Sequence, residues 1–119
     1  MTPELVYRRA ADIAAVRADS GATKPSLVAA LAHARTLKAW VAAQEAGLIT
    51  QLTAVDSFVE STIAGVSGES LNAAGKAKER AETLTDVPDI AAALERGVIT
   101  AGHVDAITRG TKNVKPEQR

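Results

Sequence analysis

Few residues in this chain are equipped for chemistry: two histidines, His33 and His103, no cysteine, and one each of Tyr7, Trp40 and Phe58. Without cysteine there is no thiolate metal site, no cysteine nucleophile and no disulfide framework. Two metal ligands on one helical face would need His-x3-His or His-Glu-x-x-His spacing, and neither occurs. His33 falls beside Leu37 and Trp40 on a helical wheel, the pattern of a boundary histidine packed on the tryptophan. His103 lies in the first turn of the last predicted helix, with no partner at catalytic spacing. Glu79, Glu82, Glu95 and Asp105 read as solvated helix faces, Lys78 being within i,i+4 reach of Glu82. Gly65-Val66-Ser67-Gly68 lacks the spacing and the lysine of a phosphate loop, and no serine sits in a nucleophile elbow. Neither catalysis nor a metal or cofactor site is expected.

Nucleic-acid binding has more to draw on. The stretch from Leu84 to Val104 reads as a short helix, a glycine-containing turn and a second helix, which is helix-turn-helix spacing. The first turn of that second helix offers Thr100, Ala101, Gly102 and His103 but no Arg, Asn or Gln able to pair bidentately with a base. Phosphate contacts are the better prospect. Lys76 and Arg80, with Arg109, Lys112 and Lys115 of the basic tail, would form such a patch, and His103 is a further candidate nucleic-acid contact. Against it stands the charge balance: 14 Lys plus Arg against 14 Asp plus Glu. A chain that holds phosphates nonspecifically is usually basic.

The elements that must position these residues are helical. Of 119 residues, 25 are alanine, the residue that loses least on entering a helix, and no period-2 strand pattern occurs. The apolar fraction, 46%, and the charged fraction, 24%, are those of a globular domain, and no apolar run approaches the ~20 residues of a membrane span. Asp12 and Arg17 interrupt what would have to be the apolar core of a signal peptide, so a cytoplasmic chain is expected.

Thr2, Pro3 and Glu4 spell the N-cap, first position and first turn of a helix that fades by Asp19. Residues 19–25 then form a connection, Ser26 capping the next helix. That helix presents Leu27, Leu31, Ala34, Leu37 and Val41 to the core and is ended or bent at Gly47. A third helix, capped by Thr50 if the chain turns at Gly47, carries Ile49, Leu52, Val55, Val59 and Ile63. Ser67 caps a fourth with Leu71, Ala74, Ala81 and Leu84 inward and Asn72, Lys76 and Arg80 outward. Pro88 opens a fifth through Leu94, Gly97 supplies a left-handed stop, and Thr100 caps a sixth containing Val104 and Ile107. Residues 42–50 and 92–100 share Ala-Ala-x-Glu-x-Gly-(Leu/Val)-Ile-Thr, so both should be the same helix-to-helix corner.

Ile63-Ala64-Gly65-Val66-Ser67-Gly68-Glu69-Ser70, Ala77-Lys78-Glu79-Arg80-Ala81-Glu82-Thr83-Leu84, Val87-Pro88 and Ala93-Leu94-Glu95-Arg96-Gly97-Val98-Ile99-Thr100 with His103-Val104 carry a resemblance. Together they resemble bacterial domain-of-unknown-function family 222, the 13E12 repeat family. Val87 stands where that pattern has Leu, and Thr100 where it has Ser. The resemblance covers about residues 26–116 and is strongest over 63–109. It implies a helical region that precedes an HNH nuclease domain, and hence a link to DNA. The nuclease residues do not carry over, since after His103 the chain offers Asn113 and no further histidine.

The expectation is therefore an all-α chain of five or six helices packed as successive αα hairpins, with a helix-turn-helix-like corner near 88–109. Residues 1–25 would form an N-terminal helix and linker, and 26–119 a helical domain truncated relative to its family. Its expected role is a non-catalytic accessory module of an HNH-endonuclease-type protein, assisting association with double-stranded DNA. The alternative is an interaction or dimerisation domain that self-associates through Ala-rich helices without touching nucleic acid.

Overall fold

The computed structural model describes residues 1–111, and these form six α-helices with no strand among them. They are α1 (Pro3–Ala18), α2 (Lys24–Thr53), α3 (Val59–Ser67), α4 (Leu71–Asp86), α5 (Pro88–Glu95) and α6 (Ala101–Thr111). With 30 residues, α2 is about 45 Å long and acts as the spine. α1, α4 and α5 pack along it, α3 sits against α4 and the end of α2, and α6 docks on α4. No described helix is long and apolar enough to cross a membrane.

Packing is set by two narrow seams of small residues. On α2 the buried positions are Ala39, Ala42, Ala46 and Ile49, and on α4 they are Ala74, Ala81 and Leu84, with Ala77 packed alongside. Both follow a three-four-three spacing, which keeps a seam on one helical face over three turns. Alanine at these positions lets two helices approach toward the near end of the usual interaxial range. Leu94 of α5 and Val104 of α6 are fully buried in the same cluster.

The core face of α2 is not the one that apolar bulk suggests. Leu27, Leu31 and Val41 are exposed, while Ala34 and Leu37 are half-buried on the side toward α1. Leu71 at the start of α4 is exposed as well. Caps differ too. α2 starts one turn earlier than expected, with Thr23 accepting from the Ser26 backbone N–H at 3.3 Å and Pro25 inside the first turn. Ser70, not Ser67, caps α4, accepting from Ala73 N–H at 3.1 Å. Ser67 is the last residue of α3, and the left-handed Gly68 behind it closes that helix through Ala64.

The two similar nine-residue stretches adopt different structures. At residues 92–100 the corner forms: Gly97 has φ of 78°, its N–H reaches the Leu94 carbonyl and the Val98 N–H reaches that of Ala93. These are the paired bonds of a Schellman stop. At 42–50 the helix runs straight through Gly47, and Thr50 donates to the Ala46 carbonyl instead of capping anything. The difference lies in which residues meet the core. Ile49 is three positions beyond Ala46, so continued helix keeps it on the seam. Ile99 is five beyond the buried Leu94, about 140° away on a continued helix, so it reaches the core when the chain turns.

α3 is held by polar contacts at its start. Asp56 accepts from the Phe58 N–H at 2.8 Å and from the Thr62 hydroxyl, and Glu60 accepts from Lys78 of α4 at 3.3 Å. The predicted Lys78–Glu82 pair is replaced by this inter-helix one. The Thr62 and Phe58 hydrogen bonds hold the Asp56 carboxyl below its ordinary value of 3.8, outweighing desolvation.

Two measurements follow. Asp56 contributes stability above its ordinary value and loses it as pH falls through its lowered one, so acid should loosen α3 in wild type. Asp56→Asn removes the titrating group, so the drop in urea midpoint between pH 5 and pH 2.5 should be smaller in the variant than in wild type. A Cβ at Gly47 meets nothing within 4 Å, so Gly47→Ala should raise stability by about 1 kcal/mol. At Gly97 a Cβ would lie 2.6 Å from Thr36 Cγ2 of α2, so Gly97→Ala should cost at least about 2 kcal/mol.

Candidate functional site

Only some of the expected basic residues come together. Lys76 of α4 and Arg109 of α6 line one open groove of about 400 Å³, with Asn72, Glu79, Asp105 and Thr108. Neither Lys76 nor Arg109 has an ion pair among the described residues. Lys112 and Lys115 lie outside the described residues. His103 is on α6 but on its other flank, about 120° round the helix from Arg109, and does not share the groove.

Arg80 is placed otherwise than expected. Its side chain is 21% exposed and its Nε and Nη2 donate to Asp105 of α6 at 2.7 and 2.8 Å. This bidentate fork is the strongest geometry available to an arginine and a carboxylate. The Asp105 hydrogen bonds raise the guanidinium pKa, against the opposing effect of burial. Asp105 is thus no solvated surface acid. Beside the pair, Thr83 and Thr108 join their hydroxyls at 2.6 Å, so α4 and α6 are bound by two polar clasps below the groove. Glu95 lies 3.5 Å from the Met1 amine.

Both histidines have structural duties. The Thr100 hydroxyl accepts from the His103 N–H at 3.3 Å, and His103 Nδ1 accepts from the Thr100 N–H at 2.9 Å. This is a capping box with imidazole in the position usually held by Glu. Nδ1 must carry a lone pair to act so, which puts any ring proton on Nε2. His33 takes Arg9 Nη1 of α1 at 2.9 Å on Nδ1 and presents Nε2 to Asp12 at 4.0 Å. Its partners are on α1, therefore, and this polar clasp holds a helix that has no buried residue. Arg9 Nε is buried without a hydrogen-bond partner. Among the described residues no three His, Asp or Glu side chains converge as a metal site.

A second surface, assigned to the core by apolar spacing, is exposed. Leu27, Leu31, Val41 and Leu48 of α2 are 46, 71, 45 and 63% exposed. Leu48 and Leu52 lead into a cleft of about 480 Å³ between α2 and α3, lined by Ile63 and Val66 and rimmed by Glu45 and Glu69. Nothing in the local sequence marks Arg80–Asp105, whose members are 25 positions apart. The α2 stripe is visible as a repeat, but the repeat does not say which face is covered.

If Asp105 holds Arg80 in place, Asp105→Ala should lower stability by about 1 to 2 kcal/mol, as expected for a partly exposed charged hydrogen bond. Asp105→Asn, which keeps one acceptor, should lose less, and in Arg80→Met the further loss from Asp105→Ala should shrink toward zero. Urea denaturation of the wild type, the three single variants and the double variant reads all three values. No family model matches this chain, and no curated protein or solved structure matches it either.

Proposed function

We propose that this chain is a non-catalytic helical interaction module whose working surface is α2. The observation that carries the reading is the row of large apolar side chains left in solvent along the longest helix. Exposed apolar side chains scattered singly are ordinary, but a set recurring at heptad spacing on one helix face is how helices dock to partners. The roles of His33 and His103 as a clasp and a cap support a non-catalytic part.

A second reading has one observation in its favour. Lys76 and Arg109 share a groove with Asn72, so an anionic group could be held there, and the resemblance to the 13E12 repeat family points to DNA. On that reading the chain assists an HNH-endonuclease-type protein through phosphate contacts. The engagement of Arg80 with Asp105 and the presence of Glu79 in the groove weaken it.

One pair of experiments separates the two. A photo-crosslinking amino acid at position 31 should give a discrete protein adduct in the native host, and at Arg17 of α1 it should give none. A labelled DNA duplex titrated at physiological salt should show no anisotropy change. Absence of an adduct at position 31 would end the interaction reading. Duplex binding that weakens steeply with salt and is abolished by Lys76→Glu with Arg109→Glu would put the DNA reading in its place.

A further inference from the structure

We propose that the partner of the α2 stripe is a second copy of this chain, paired antiparallel about a two-fold axis near residues 39 and 40. This rests on the interaction reading above and names its partner. The stripe runs Leu27, Leu31, Ala34, Lys38, Val41, Glu45, Leu48, Leu52, alternating steps of four and three. That is heptad spacing over about 38 Å; Ala34 is half-buried and Leu52 packs on the core cluster, while Leu27, Leu31, Val41 and Leu48 stay exposed beside the buried Ala39, Ala42, Ala46, Ile49 seam.

The charges along α2 decide the occupant. Its first 21 residues, 24–44, hold Lys24, Arg35 and Lys38 and no acid. None of the three has an ion pair among the described residues. The other half carries Glu45 and opens on the apolar cleft of Leu48, Leu52, Ile63 and Val66, which Glu45 and Glu69 rim. One end therefore presents leucines in a basic setting, and the other an apolar cleft rimmed by two acids that also act on Arg80, itself engaged by Asp105. A two-fold axis superposes the first on the second twice over.

In this register Leu31 lies opposite Leu48 of the second copy and Leu27 opposite Leu52. Lys38 comes within one turn of the second copy's Glu45. Within one molecule Lys38 and Glu45 interrupt the apolar stripe as unlike charges two turns apart, too far to pair with each other along the helix. Across the axis each gains the other. The contact is isologous and closes on itself, so it produces a dimer and no fibre. An unrelated helix would have to carry this same arrangement of leucines and opposed charges, which the chain already supplies.

Sedimentation equilibrium of the full chain tests the proposal. The wild-type protein should give twice its 12.3 kDa mass, and Leu31→Glu should give the monomer at the same concentration with an unchanged circular dichroism spectrum. Lys38→Glu and Glu45→Lys should each shift the equilibrium toward monomer, and the two together should restore the dimer. A wild-type protein that stays at 12.3 kDa at high concentration, or a double variant no better than the singles, overturns the antiparallel pairing. The crosslink at position 31 keeps the two levels apart. An adduct with a different protein removes self-pairing and leaves the interaction reading, whereas no adduct removes both.

Discussion

Close approach of helices along α2 is the constraint on which the rest of the molecule depends. Ala39, Ala42 and Ala46 offer a seam with almost no side-chain depth, and α4 brings Ala74, Ala77 and Ala81 to the same buried cluster. Gly97 has no room for a side chain, since an added Cβ would run into Thr36. Because the seam is shallow, the apolar area that each residue removes from water is small, and the larger Ile49, Leu84, Leu94 and Val104 anchor its ends and flanks. The bulky residues of α2 are then left on a different face.

That division has an electrostatic counterpart. Polar clasps add to the packing of three helices: Arg9 and Asp12 to His33 for α1, which has no buried residue, Glu60 to Lys78 for α3 and Arg80 to Asp105 for α6. Each clasp engages a residue that its type alone would nominate for function. Among the described cations without an ion pair are Lys76 and Arg109 in one groove and Lys24, Arg35 and Lys38 on α2. The proposed function therefore rests on surfaces, one apolar with opposed charges and one mixed.

How far the fold was legible can be judged residue by residue. Thr2, Pro3, Pro88, Gly97 and Thr100 mark their helix ends correctly because capping is local physics, satisfied by groups within four residues. Gly47 misleads for a related reason: the same nine-residue pattern supports either a stop or a continuous helix, and local chemistry is nearly balanced between them. Ser67 and Ser70 are both competent caps three residues apart. The positive φ of Gly68, closing α3 through Ala64, leaves Ser70 to start α4. The candidate site was less legible than the fold. Lys76 and Arg109 do share a groove, but Arg80 pairs with Asp105, a contact between helices that no spacing along one helix encodes.

What the sequence determined by itself was that the chain is helical, where α1, α5 and α6 begin, and that it lacks thiol chemistry. Those properties follow from backbone propensity, capping within a turn and composition, all of them short-range. Tertiary structure decided which face of α2 is covered, whether a glycine stops a helix and which charges remain unpaired. The physical reason is that α2 carries two stripes of equal period, one of alanines and one of leucines. Periodicity sees both alike, and only the close fit of α4 and α5 on the small one leaves the large one in solvent.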